Sequence, residues 1–184
     1  MSSEKKAYTL SILVEDSPGV LSQVARLFSR KGYNIESICA GVTDRPGVTR
    51  ISVVTVVDEK TIQQLATQLS KLLLVISVEV LTDEESIRRE LTLIKVQAQT
   101  RDQRESIIQI VSVFRASILD LGRETLTIAV LGNAEKTRAI TSLLEDFGIL
   151  EIARTGMIAL QRGKQTIYDH TKTREEYNYG KNVL

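Results

Sequence analysis

Apolar and polar positions along the chain change period several times, and each change marks an element. From Tyr8 to Val14 the alternation is strict. Tyr8, Leu10, Ile12 and Val14 share one side and Thr9, Ser11 and Leu13 the other, which predicts a strand. Ser17-Pro18-Gly19 then opens a helix, with Ser17 as N-cap and Pro18 at the first helical position. Val20, Leu21, Val24, Leu27 and Phe28 recur on one helical face, and Gly32 ends the helix where a left-handed residue is needed. A second strand is predicted over Asn34 to Val42, a turn at Arg45-Pro46-Gly47, and a β-branched third strand over Thr49 to Val57. Asp58 caps a second helix carrying Ile62, Leu65, Ala66, Leu69 and Leu72, and Val75 to Leu81 is a fourth strand.

The order strand, helix, strand, strand, helix, strand then recurs at an offset of roughly 80 residues. Glu90 to Gln99 reads as a strand, and the capping-box pair Thr100 and Gln103 opens a helix with Ile107, Ile108, Ile110, Val111 and Phe114. Strands over Ser117 to Leu121 and Thr125 to Leu131 meet at the turn Gly122-Arg123-Glu124. Asn133 caps a helix with Ala139, Ile140, Leu143, Leu144 and Phe147, closed by Gly148. Ile149 to Ala153 starts a last strand that resumes at Met157 to Leu160. Such units resemble the ferredoxin-like arrangement. The expected fold is therefore α+β, with two consecutive βαββαβ units, each a four-stranded antiparallel sheet with two helices on one face.

The expected domains are 1–82 and 83–163, followed by a polar, flexible tail over 164–184. Tyr168, Tyr177 and Tyr179 lie among charges in that tail and are expected to belong to a mobile or lightly packed terminus, with docking on a partner as the alternative, while His170 is expected to be exposed there with no site role. The polar residues Thr9, Ser11, Ser52 and Thr55 place part of one sheet face outside the deep core. Units this small bury a modest core and carry open sheet edges, so association is expected.

Composition narrows the classes of function. The chain has 184 residues, 42% hydrophobic and 26% charged, the balance of an ordinary folded protein. With 24 basic and 23 acidic residues it is no polycation, so nucleic-acid binding is not expected. The longest aliphatic run, Leu72 to Ile76, falls far short of the ~20 residues of a membrane span. No apolar segment follows Met1-Ser2-Ser3-Glu4-Lys5-Lys6, and Cys39 is the single cysteine, so a cytoplasmic setting is expected. In Cys39 a small buried hydrophobe is the plain reading, with no basic neighbour in sequence to activate it. One histidine, His170, rules out a Cys/His zinc cluster, and a Ser-His-Asp set would need that residue to fold back. No Rossmann or Walker glycine loop is present. A non-catalytic chain without metal or cofactor of its own is expected.

The informative segment is Val14-Glu15-Asp16-Ser17-Pro18-Gly19-Val20-Leu21-Ser22. It sets a glycine at a helix start just after a strand, where free backbone N–H groups and the helix dipole favour an anion. Glycine lets a carboxylate approach without a Cβ in the way. Further on, Gly32-Tyr33-Asn34-Ile35-Glu36-Ser37 carries an amide side chain that can donate to a carboxylate or accept from an ammonium. Together they suit the head group of a free amino acid. The same residues also make a plain helix start and a plain loop, and their chemistry alone leaves both readings open.

Asp16-Ser17-Pro18-Gly19-Val20-Leu21 with Gly32-Tyr33-Asn34-Ile35 resembles the ACT domain, a small-molecule-sensing form of the ferredoxin-like unit. The longer string Phe28 to Ser37 resembles the small, regulatory subunit of acetolactate synthase. Arg89 to Val96, Phe114-Arg115-Ala116, Phe147-Gly148-Ile149, Ala153 to Gly156 and Leu160 to Gly163 resemble that subunit's C-terminal domain. The resemblance implies a chain that activates a separate catalytic subunit, one using thiamine diphosphate, magnesium and FAD. It also implies feedback inhibition by a branched-chain amino acid, valine first, with leucine and isoleucine as alternatives. It implies a homodimer through the ACT domain, with the effector at the pairing interface. Carried over residue by residue, Gly19 and Val20 would offer N–H groups to the effector carboxylate. Asp16 and Asn34 would contact its polar head, with Asn34 and Ile35 coming from the neighbouring chain. Members of the family commonly carry an amide where this chain has Asp16, and a negative Asp16 would repel a carboxylate or else pair with the effector's ammonium.

Other classes fit less well. A stand-alone ACT-type module serving another partner shares the site residues. RNA-recognition units stack bases on sheet aromatics, yet aromatics are 4% of this chain and Tyr8 is the one strand-borne aromatic of the first unit. An enzyme built on Glu15, Asp16 and Glu36 would rest on residues that serve equally as surface charges.

Overall fold

A computed structural model describes residues 4–170, apart from the side chain of His170. In the first unit β1 (Lys6–Glu15) leads into α1 (Val20–Lys31), β2 (Ser37–Val42), β3 (Val48–Val57), α2 (Glu59–Leu69) and β4 (Val75–Leu81). The second unit holds β5 (Ser86–Gln97), α3 (Arg101–Val113), β6 (Ser117–Leu121), β7 (Thr125–Gly132), α4 (Ala134–Glu145) and β8 (Ile149–Arg154). A short β9 (Ile158–Gln161) and a single 3₁₀ turn, Ile167–His170, follow. Strand order is β2-β3-β1-β4 in one sheet and β6-β7-β5-β8 in the other, the ferredoxin-like order twice. The second sheet gains a fifth strand, because β9 also pairs with β5. Gly156, at φ +84°, separates β8 from β9 as two strands.

The cores follow from the strand pattern. β1 pairs antiparallel with β3 from Lys6↔Val57 to Glu15↔Val48, which sets Leu10 opposite Val53 and Ile12 opposite Ile51. These residues pack with Val24, Leu27 and Phe28 of α1 and Ile62, Leu65 and Leu69 of α2. The second unit repeats the plan with Ile94, Val96, Leu126 and Ile128 against Ile107, Val111, Ile140 and Leu144. Leu27 and Phe28 are both buried, but at three other apolar pairs of the helical pattern the ~100° step between residues lets only one neighbour reach the core. Val20 is buried and Leu21 exposed, Ile107 buried and Ile108 exposed, Leu144 buried and Leu143 exposed.

Three expectations are corrected. Ser17 does not cap α1 and Pro18 is not its first residue. Ser17 to Val20 forms a turn with Pro18 at its second position and Gly19 at its third, and the helix begins at its last residue, Val20. Thr9, Ser11, Ser52 and Thr55 are all buried. Thr55 lies opposite Tyr8 on the helix side, where its hydroxyl donates to the Asn34 carbonyl at 2.7 Å. Thr9, Ser11 and Ser52 share the opposite face with Leu13 and Ser77. That face is in part covered by the returning chain, since the Ser77 hydroxyl donates to the Ile167 carbonyl at 3.2 Å.

The third correction concerns boundaries. The described residues group as 4–87 with 159–170, and 88–158. Residues 164–170, expected as loose tail, belong with the first unit, and Ile167 is 3% exposed there. The expectations for Tyr177 and Tyr179 fall outside the described residues.

Candidate functional site

α1 begins unlike the other three α-helices among the described residues. Asp58 accepts from the Thr61 N–H, Thr100 from Gln103 and Asn133 from Lys136, so α2, α3 and α4 each have a side-chain N-cap. Each also carries an acidic residue in its first turn: Glu59, Asp102 and Glu135. α1 has neither; its N-cap is Gly19, with no side-chain hydrogen bond and no acid in the first turn. The first N–H groups of a helix have no partner within it, and they carry the positive end of its dipole. At α1 that end is left for something outside the helix.

Gly19 has φ +86° and ψ −3°, the values a left-handed turn residue requires. A Cβ built there meets no atom within 4 Å. The turn closes through the Val20 N–H, which donates to the Ser17 carbonyl over a long 3.3 Å, while the Val20 side chain is buried in the core. Asp16 is exposed beside this turn. Its backbone N–H donates to the Gly47 carbonyl at 2.9 Å, and its carboxylate accepts from the Thr49 hydroxyl at 3.2 Å. Asp16, Gly19 and Val20 thus lie together, tied to the hairpin between β2 and β3.

Asn34 and Ile35 lie elsewhere. They follow Gly32, the left-handed C-cap of α1, and so stand at the opposite end of that helix. Twelve residues at ~1.5 Å each put the two ends about 18 Å apart. One amino acid cannot touch both groups in a single chain. Asn34 is exposed and its amide donates to Glu36 at 2.8 Å, while Ile35 packs partly against the first core. Both directly precede β2, an outer strand of its sheet. Among the described residues no group of three or more His, Cys, Asp or Glu is placed to hold a metal ion. No helix among them is long and apolar enough to cross a membrane.

Sequence reasoning missed the part played by the β2–β3 hairpin, Gly47 and Thr49 above all. The Pro46-Gly47 turn was visible, but its link to Asp16 spans more than thirty residues and has no local signature.

Two ferredoxin-like sheets with an open glycine-started helix in the first define a protein of the ACT type. A model of the small subunit of acetolactate synthase matches residues 89–163, and one of the ACT domain of such small subunits matches residues 10–77. The acetolactate synthase small subunit of Mycobacterium bovis is 46% identical over 162 residues, which cover 88% of this chain and 96% of that protein. The probable acetolactate synthase small subunit of Methanothermobacter thermautotrophicus is 42% identical over 164 residues, covering 89% and 98%. The crystal structure of the Thermotoga maritima small subunit superposes with a TM-score of 0.80 at 37% identity, covering 87% of this chain and 99% of that one. This chain belongs to the acetolactate synthase small-subunit family. Its role is regulatory and non-catalytic.

Proposed function

We propose that this chain binds and activates the catalytic subunit of acetolactate synthase in the cytoplasm and makes it sensitive to a branched-chain amino acid, valine first. The open positive end of α1 is the observation that carries this reading. Gly19 and Val20 offer backbone N–H groups to the effector carboxylate, the Val20 N–H by giving up its long 3.3 Å turn bond to Ser17, and Asp16 pairs with the effector's ammonium. Asn34 and Ile35 complete the site from a second copy joined through the β2 edge, because the ~18 Å length of α1 keeps them from the same chain's Gly19. Thiamine diphosphate, magnesium and FAD belong to the catalytic partner, and this chain carries no cofactor.

Magnitudes agree with a sensor. A carboxylate on backbone donors contributes ~1.5–3 kcal/mol and burial of a valine side chain ~1.5–3 kcal/mol. Together they give a dissociation constant between several millimolar and tens of micromolar.

The test combines titration with reconstitution. Calorimetry of the full chain with L-valine, L-leucine, L-isoleucine and D-valine is expected to show saturable binding of one L-isomer and none of D-valine. Added to the catalytic subunit, the chain is expected to raise acetolactate formation, and the bound isomer to lower it. Failure of every isomer to bind would sink the effector assignment; an unchanged rate would sink activation.

A further inference from the structure

The chain after β9 returns to the first unit and grips it. The Arg162 N–H donates to the Glu85 carbonyl at 2.7 Å, and within the returning segment the Gln161 amide donates to Gln165 at 2.9 Å. Its last turn is closed on itself, since the Thr166 N–H donates to the Asp169 carboxylate at 2.7 Å and the Asp169 N–H to the Thr166 carbonyl at 3.0 Å. Ile167 is buried, and its carbonyl accepts the Ser77 hydroxyl. These contacts fix where Tyr168 stands.

Tyr168 reaches the β2–β3 hairpin. The Arg45 guanidinium lies over its ring, 3.5 Å from the centroid. Its hydroxyl donates to Asp44 Oδ1 at 3.3 Å. The turn beyond Arg45 is closed by the Val48 N–H on the Arg45 carbonyl at 3.2 Å, and the Thr43 hydroxyl donates to the Val48 carbonyl at 2.9 Å. From the same turn Gly47 accepts the Asp16 N–H, and Thr49 donates to the Asp16 carboxylate. An unbroken series of contacts therefore leads from Tyr168 through Asp44 and Arg45 to Asp16 and the Gly19 turn.

We propose that Tyr168 is a positioning residue for the effector loop: by pinning the β2–β3 hairpin it holds Asp16 where the effector's ammonium must lie. This inference rests on the reading of that loop as the effector site. A stacked guanidinium and a shared hydroxyl add to the hairpin's own turn bonds and its bonds to Asp16 in restricting it. Freed from Tyr168, the hairpin carries Asp16 with it, and effector affinity falls although no contacting residue has changed.

The experiment uses the full chain with Tyr168→Ala, Tyr168→Phe and Arg45→Ala. Amide hydrogen exchange is read without ligand, and L-valine affinity by calorimetry. Tyr168→Ala and Arg45→Ala are expected to speed exchange at Asp16, Thr43 and Val48 about tenfold, with Leu10 and Ile12 unchanged. Valine dissociation constants are expected to rise about 5- to 10-fold. Tyr168→Phe keeps the ring under Arg45 and is expected to restore most of both effects. Unchanged exchange at Asp16 and Val48 would overturn the proposal, as would faster exchange with unaltered valine affinity. Absence of valine binding to the unmodified chain would strike the effector reading instead, and exchange would still decide whether Tyr168 sets the loop. Should Tyr168→Ala unfold, Arg45→Ala removes the same stack from the exposed side.

Discussion

The two units share a frame and differ at the start of their first helices. Both central strands carry a register shift, at Leu13/Val14 and at Lys95/Val96, 82 residues apart. Beyond it the backbone bonds correspond: Asp16 donates to Gly47 where Ala98 donates to Glu124. After that bond the units part. In the second unit Ala98 is fully buried, its carbonyl accepts from Arg104 at 3.0 Å, and the Thr100–Gln103 capping box satisfies the helix start. In the first, an exposed Asp16 leads to a glycine turn and an uncapped helix. The same fold is closed on itself in one copy and left open in the other. A binding end is made here by omission of a cap, and the second unit shows what its closure looks like.

The strongest way to break this comparison is to place the same acid at both helix starts. Gly19→Asp puts a side chain on a φ of +86° and a negative charge at the anion end of α1. Valine affinity is expected to fall more than ~100-fold by calorimetry. Thr100→Asp exchanges one good cap for another, and both melting temperature and valine affinity are expected to stay unchanged.

Opening the closed copy is the next test. Thr100→Ala removes the hydroxyl half of the capping box, leaving the Gln103 side chain on the backbone N–H of residue 100, and is expected to cost ~1 kcal/mol. For a chain of this size that lowers the melting temperature by roughly 2–4 °C, with valine binding intact. A smaller effect is expected at Asp16. Asp16→Asn keeps an oxygen for the Thr49 hydroxyl but drops the charge. If the ammonium pairs with Asp16, affinity falls about 2- to 5-fold and becomes less salt-sensitive. A rise in affinity would show that the carboxylate repels the effector.

The smallest effect is in acid. The Thr61 N–H, then the Thr61 hydroxyl, hold the Asp58 carboxyl below its ordinary value. A carboxyl lowered by folding stabilises the native state above its unfolded pKa of about 3.9, and that contribution is lost as pH falls through the lower folded value. Between pH 5 and pH 2, Asp58→Asn is expected to show a shallower loss of melting temperature than the parent chain.

Much of the frame was legible because its signals are local. The caps Asp58, Thr100 and Asn133 each act three residues away, within reach of a sequence pattern. The repeat exposed the strand order, and Gly32 and Gly47 sit at the positive φ their places predicted. What escaped notice depends on distant chain. Ile167 is one apolar residue in a polar stretch and has no period, yet it is buried. Thr9, Ser11 and Ser52 looked half-exposed because nothing near them in sequence shows a cover. Of the site, the Gly19 loop was readable as an opened helix. Ser17 was misassigned because Pro18 and Gly19 suit a tight turn as well as a helix start, and only the turn leaves α1 uncapped.

The returning segment also bears on how the molecule is made. Ser77 meets Ile167 across 90 positions of sequence and Asp44 meets Tyr168 across 124. Such long closures form late and slow folding. On the ribosome the second unit can assemble its four ferredoxin-like strands as soon as β8 emerges, whereas the first must wait for residues synthesised well after it. Until they arrive, its Ser77 and Leu13 face stays uncovered, and the nascent chain passes through a sticky, aggregation-prone stage.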